Sequence, residues 1–238
     1  MRRGFSLLES LISLTVFCIV ILAGFESFGT ARYVFFKLRD AQESRMAALA
    51  ALERIRADIL QAGLGLDAPL RLGLVEGIIA DGDAGVFVSA ETSVSISSGL
   101  SAGQAAVFAP NLVDFAAGRS VCVCAGAKGE TAVIQGADGA GVTLSSPLAF
   151  DYPAGETRLI LLRRVSIYLD AKTAVLRRKI NASSAQPLLE GTASFAFEFE
   201  RASSLAAVRF RLESDREKIH EISAVAKNLA LANKKSPF

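Results

Sequence analysis

Cys122 and Cys124 have the most reactive spacing in this 238-residue sequence. Residues two apart on a strand share a face, and a flat strand sets their Cα atoms about 6.7 Å apart, at the edge of disulfide reach. The spacing admits two states: an internal bridge made through a local turn or bulge, or a pair of buried thiols. Zinc-type binding would need a third and a fourth ligand, and the sequence offers none nearby. Cys18 is the remaining cysteine; it lies in an apolar run, where a thiol is a small apolar filler. His220 is the sole histidine, so chemistry that needs two is excluded, and no G-x-S-x-G elbow accompanies it. A Ser-His-carboxylate arrangement has nothing to build on, and no enzymatic activity is expected.

Three further patterns resolve into ordinary structure. Gly136-Ala137-Asp138-Gly139-Ala140-Gly141 is glycine-rich like a phosphate loop, but no Lys-Ser/Thr follows and no helix opens there. A hairpin turn centred on Asp138-Gly139 is expected instead. Asp81-Gly82-Asp83 offers two carboxylates without the remainder of a calcium loop. The basic groups Arg163-Arg164 and Arg177-Arg178-Lys179 alternate between faces if they lie on strands, so they read as solvated surface. They have no aromatic platform for single-stranded nucleic acid. No cofactor, metal, nucleic acid or small-molecule substrate is therefore expected.

The elements that would carry these residues begin with an uneven distribution of apolar side chains. Hydrophobic residues make up 51% of the chain and charged residues 21%, with a mean hydropathy of +0.39. Disorder is excluded by that apolar fraction, and a collagen-like chain by 19 Gly and 6 Pro. The formal charge of +2 gives no field for nucleic acid. The excess hydropathy sits in Phe5–Phe25, FSLLESLISLTVFCIVILAGF, which is long enough to span a bilayer as a helix. Arg2 and Arg3 precede it and predict a cytoplasmic N-terminus, with the remainder of the chain outside. An ordinary secretory signal would have a shorter core and a small-residue cleavage site, which Ala23-Gly24 does not supply. Glu9 interrupts the run, and a carboxylate at such a position marks a functional site unless it reaches headgroup water.

The basic head ending in Gly4, the aromatic Phe5 and the acidic Glu9, followed by the apolar run, resemble the prepilin leader of type IV pilins and type II secretion pseudopilins. The resemblance implies that a prepilin peptidase cuts between Gly4 and Phe5 and that Phe5 is N-methylated. It also implies that Glu9 pairs with the positive N-terminus of a neighbouring subunit, where each buried charge requires the other. Removal of Arg2 and Arg3 with the leader would take the formal charge from +2 to zero.

No proline occurs before Pro69, so the helix is expected to continue past the membrane. Ala48, Leu49, Leu52, Ile55, Ile59 and Ala62 recur at three- and four-residue steps, the mark of one buried face. Arg39/Glu43 and Arg54/Asp58 read as exposed (i, i+4) ion pairs, and Gly63 and Gly65 as the stop. From Phe5 to Ala62 such a helix would be about 87 Å long. Beyond Leu66 short alternating segments predict strands. The clearest is Ser194–Glu200, whose three Phe at alternate positions share one side. Lys234-Lys235-Ser236-Pro237-Phe238 reads as a frayed end.

The fold expectation is α+β and pilin-like: a long N-terminal helix packed on an antiparallel sheet domain. It divides into a leader at 1–4, a transmembrane or filament-core helix at 5–28, an amphipathic continuation at 29–65 and an extracytoplasmic β-rich domain at 66–238. The helix exit Ile59–Gly65, the Val165–Leu169 and Ala174–Arg178 strands, and the Gln186–Gly191 turn are similar to PilW-type minor pilins, and more loosely to GspJ-like pseudopilins. This likeness implies a structural subunit of a type IV pilus that acts in filament priming or at the tip. Its partners would be prepilin peptidase, other pilins or pseudopilins and the inner membrane. The alternatives are a minor pseudopilin of a type II secretion system and a membrane-anchored extracytoplasmic enzyme.

Overall fold

A computed structural model of the chain describes residues 7–234. Its first element is the unbroken helix expected from the absence of proline: α1, Leu7–Gln61, 55 residues long. Two glycines end it: Gly63 at φ +77° and Gly65 at φ +71° adopt the left-handed region that L side chains avoid. The Asn228 side chain donates to the Leu60 and Ala62 carbonyls, both at 3.1 Å, and so satisfies acceptors that a helix C-terminus leaves open.

The chain forms two compact units, one ending at Leu49 and one beginning at Ala50. The first consists of helix alone among the described residues. Its large apolar side chains face outward from Leu7 to Leu38, including Phe17, Phe25, Phe28, Tyr33 and Phe35. Arg39 and Glu43 form the expected (i, i+4) pair at 3.3 Å.

The second unit takes the last turns of α1 and adds α2 (Asp67–Arg71), β1 (Ile78–Asp81), β2 (Ala84–Ile96), β3 (Ala106–Phe108), β4 (Ser120–Ala125), β5 (Lys128–Ala137), β6 (Gly141–Leu144), β7 (Thr157–Asp170), β8 (Val175–Ile180), β9 (Gln186–Leu189), β10 (Thr192–Glu200), β11 (Leu205–Leu212), β12 (Asp215–Val225) and α3 (Lys227–Lys234). The strands make a nine-stranded and a three-stranded sheet, antiparallel at every pairing. The larger sheet is built on β7. One edge of β7 pairs with β2 from Thr157 to Tyr168. The other edge is shared, with Arg158–Leu161 on β4 and Val165–Asp170 on β8. The ladder therefore forks at 162–164.

Both faces of β4 are buried. Val121, Val123 and Ala125 join a core with Leu112, Phe115, Ile134 and Leu159, while Cys122 and Cys124 join Leu66, Val88, Ile160 and Leu162 on the other face. The smaller sheet carries the alternation expected of its Phe-rich strand. Phe195 and Phe197 are buried with Val208 and Phe210, and Phe197 meets Phe87 edge-on at 5.4 Å. On the opposite face Arg209, in the central strand, reaches Glu198 at 3.0 Å and Glu221 at 3.3 Å across its two neighbours. The α+β expectation therefore holds. The last turns of α1 bury Leu52, Ile55 and Ile59 as the spacing requires, whereas Leu49 is exposed.

Two readings of charge are corrected. Asp58 is not an exposed partner of Arg54: it is buried and bound by Arg178 of β8. Arg178 is accordingly buried too, and not solvated surface. Alternation correctly sends Arg177 and Arg178 to opposite faces, but the face that carries Arg178 is the buried one, whereas Arg177 stays partly exposed. Three elements also have no counterpart in the periodicity: the short helices α2 and α3, and β9, which contains Pro187 as its edge position tolerates.

Candidate anchoring and processing site

The residues with an expected role at the N-terminus divide at the first described position. Gly4 and Phe5, the cleavage and methylation positions, lie outside the described residues. Glu9 lies in the first turn of α1 with an exposed side chain. A carboxylate there is favoured by the helix dipole, because the first backbone N–H groups have no partner within the helix. The apolar side chains that follow, Leu11, Ile12, Leu14, Val16 and Phe17, are exposed as well. Among the described residues, α1 is the one helix long and apolar enough to cross a membrane. Thr15 and Thr30 turn their hydroxyls back onto the Leu11 and Glu26 carbonyls at 2.8 and 3.1 Å, which hides those polar groups from an apolar environment.

Residues 1–25 match the prokaryotic N-terminal methylation motif. The chain therefore carries a prepilin-type N-terminus, the substrate feature of prepilin peptidase, joined directly to an exposed apolar helix. This supports a type IV pilin-like or pseudopilin-like structural protein, anchored through α1 and assembled with other such subunits. The motif ends far short of the second unit. No curated protein and no solved structure matches the chain.

The remaining chemistry-bearing residues fall where packing places them. The Cys122 and Cys124 sulfurs lie 3.1 Å apart as free thiols in the buried face of β4. The bond to Cys124 and then burial push the Cys122 thiol well above the usual range; the same bond favours the Cys124 thiolate, which would accept from Cys122. Asp138 Oδ1 accepts from the backbone of Ala140 and Gly141 at 3.1 and 2.6 Å, with Gly139 at φ +83°. The glycine-rich segment is thus the β5–β6 hairpin turn and not a phosphate loop. Asp81-Gly82-Asp83 forms the β1–β2 turn, and among the described residues no group of three acidic, His or Cys side chains converges as a metal site. His220 is buried and stacked on Phe210 at 5.3 Å.

The pattern of spacing missed two long-range polar pairs. Glu130 accepts from the Tyr152 hydroxyl at 2.8 Å and from the Ala149 amide; burial first, and then this bond, push the Tyr152 hydroxyl upward. Arg119 meets Glu91 at the bulge of β2. No local motif announces either pair, because the partners are far apart in sequence.

Proposed function

We propose that this chain is a minor pilin of the PilW type. It is cut after Gly4, methylated on Phe5, and incorporated through α1 into a type IV pilus, where it primes assembly or caps the tip. The observation that carries the reading is continuity: the methylation motif over residues 1–25 passes without a break into a helix whose apolar side chains are exposed. An outward apolar surface of this kind requires lipid or other helices to cover it. Glu9 then supplies a carboxylate for the new N-terminal ammonium of a neighbouring subunit. Inside an apolar helix bundle such a pair fixes axial register, since a shift of one subunit leaves both charges without a partner. The cytoplasmic head lies before the helix and the β-rich unit outside the inner membrane, as Arg2 and Arg3 direct.

The decisive measurement is the intact mass of the chain recovered from envelopes. Loss of Met1–Gly4 with one added methyl on Phe5 is expected, and an uncleaved, unmethylated chain overturns the reading. Glu9→Ala should insert in the membrane normally yet be lost from sheared filaments; normal incorporation would remove the pairing role. The same N-terminal motif serves pseudopilins, which favours a GspJ-like subunit of a type II secretion system as the second reading. Deletion of the gene separates the two, with loss of surface pili on one side and retention of exoproteins in the periplasm on the other.

A further inference from the structure

The fork in the β7 ladder opens a cleft of about 560 Å³ on the thiol-bearing face of the large sheet. Where β4 and β8 diverge, the backbone of 162–164 has no ladder partner on that edge and is satisfied by Arg119 and Asn181. Arg119 donates to the Leu162 carbonyl at 3.2 Å. The Asn181 side-chain Oδ1 accepts from the Arg164 backbone N–H at 2.8 Å, and the Asn181 backbone N–H donates to the Arg164 carbonyl at 2.7 Å. These bonds keep the two strands apart and leave a space bounded by Arg119, Arg164 and Lys179. Leu74, Val75 and Ile79 form an apolar wall along the other side.

The charge balance of this cleft is one-sided. Arg119 is paired with Glu91, and Glu76, the carboxylate that lines the cleft, is engaged by Arg201 at 2.8 Å. Arg164 and Lys179 have no carboxylate partner among the described residues. The Arg119 Nε–H is buried and has no acceptor there either. A buried N–H without an acceptor is costly, and a charged one more so. Two cationic side chains without carboxylate partners, Arg164 and Lys179, beside an apolar wall, in a space within the usual range of roughly 300–1,000 Å³ for small-ligand sites, match an anion attached to an apolar body.

We infer that the fork cleft binds an amphipathic organic anion, with its carboxylate or phosphate head at Arg164 and Lys179 and its apolar part against Leu74, Val75 and Ile79. Arg164 and Lys179 act as head-group ligands. Arg119 holds the fork open through the Leu162 carbonyl and is a positioning residue for the site. The inference is independent of which filament the chain enters.

Isothermal titration of the full-length chain in nonionic detergent tests this with benzoate and phenyl phosphate as the anionic probes and benzyl alcohol as the neutral one. Saturable binding of at least one anion, tighter than about 1 mM, is expected, with no saturable binding of benzyl alcohol. The stronger of the two anions identifies the head as carboxylate or phosphate. Arg164→Gln and Lys179→Gln should each weaken binding about tenfold, the usual worth of a charge-assisted hydrogen bond. Arg209→Gln, on the outer face of the small sheet, should leave it unchanged. Neither substitution in the cleft removes an ion pair, so folding is preserved, as unchanged thermal unfolding will show. Absence of binding by both anions, equal binding of benzyl alcohol, or unchanged affinity in both cleft variants overturns the inference.

Discussion

Asp58 and Arg178, 120 residues apart in sequence, meet in a two-pronged ion pair that ties the last turns of α1 to β8. The guanidinium donates through Nε at 2.7 Å and Nη2 at 2.8 Å, and the side chains are only 3% and 6% exposed. The pairing holds the Arg178 guanidinium further toward its charged form than usual. Because both charges have left water, the pair is held together more by the cost of stranding either partner than by net attraction. Asp58→Ala should therefore destabilise the second unit by about 3–5 kcal/mol, whereas Asp58→Leu with Arg178→Met should recover most of that loss. Urea unfolding of the full-length chain in detergent, followed by circular dichroism, compares the two.

Gly65 is a second point where one atom decides. At φ +71° it occupies a conformation strained for any L side chain, and a Cβ added there would lie 2.8 Å from that of Ala90. Gly65→Ala is expected to cost more than about 1 kcal/mol, against the modest gain seen where alanine fits. Gly73→Ala is a useful comparison: it shares a positive φ, +66°, but an added Cβ would meet nothing. The difference between the two thermal shifts isolates the steric part.

With the β-rich unit outside the inner membrane, as proposed above, Cys122 and Cys124 are expected to close in that oxidising compartment. Their sulfurs need to approach from 3.1 Å to the bonded separation of about 2.05 Å. In that reaction the two thiols give up two protons and two electrons to the disulfide of a thiol oxidase, which leaves as a dithiol, and one S–S bond forms. Chain quenched in acid and alkylated after unfolding should carry an alkyl group on Cys18 alone until it is reduced. Alkylation of all three cysteines without reductant would show that the pair remains as thiols.

Asp170 turns the chain from β7 into β8, and its carboxylate is held below the usual range by hydrogen bonds from the Thr173 hydroxyl and the Arg177 guanidinium, with the Lys172 amide adding to them. A depressed native pKa means that the contribution is present above the unfolded-state value of about 3.9 and disappears as pH falls through the native value. Wild type should therefore melt above Asp170→Asn at neutral pH, and the two curves should converge in strong acid. A separation that persists or widens in acid would assign the effect to packing.

What could be read from the residues themselves was local. The Phe195–Phe199 alternation, the absence of proline through α1, the Gly63–Gly65 stop and the Asp138-Gly139 turn all depend on neighbours within one or two turns of chain, and each is found in place. Asp58 was misread for the same reason. Helical spacing brings Arg54 into view at four residues and leaves Arg178 out of view. Nor could the fork be anticipated, since it arises from the way β7 divides one edge between β4 and β8, a choice made by packing and not by any single segment. Arg164 and Lys179 therefore looked like ordinary strand surface.

The exit of α1 also bears on how the unassembled subunit survives at high local density on a membrane. Strand β2 has 13 residues, but β1 matches only its first few, which would leave a long run of free amides and carbonyls. Gly63 and Leu64 take up the next stretch: the Gly63 amide donates to the Val88 carbonyl and the Ala90 amide to the Leu64 carbonyl, both at 2.8 Å. An open edge of that kind is a template for strand addition by another molecule. By ending the helix against it, the chain closes off that stretch of the strand's edge to stray copies of itself.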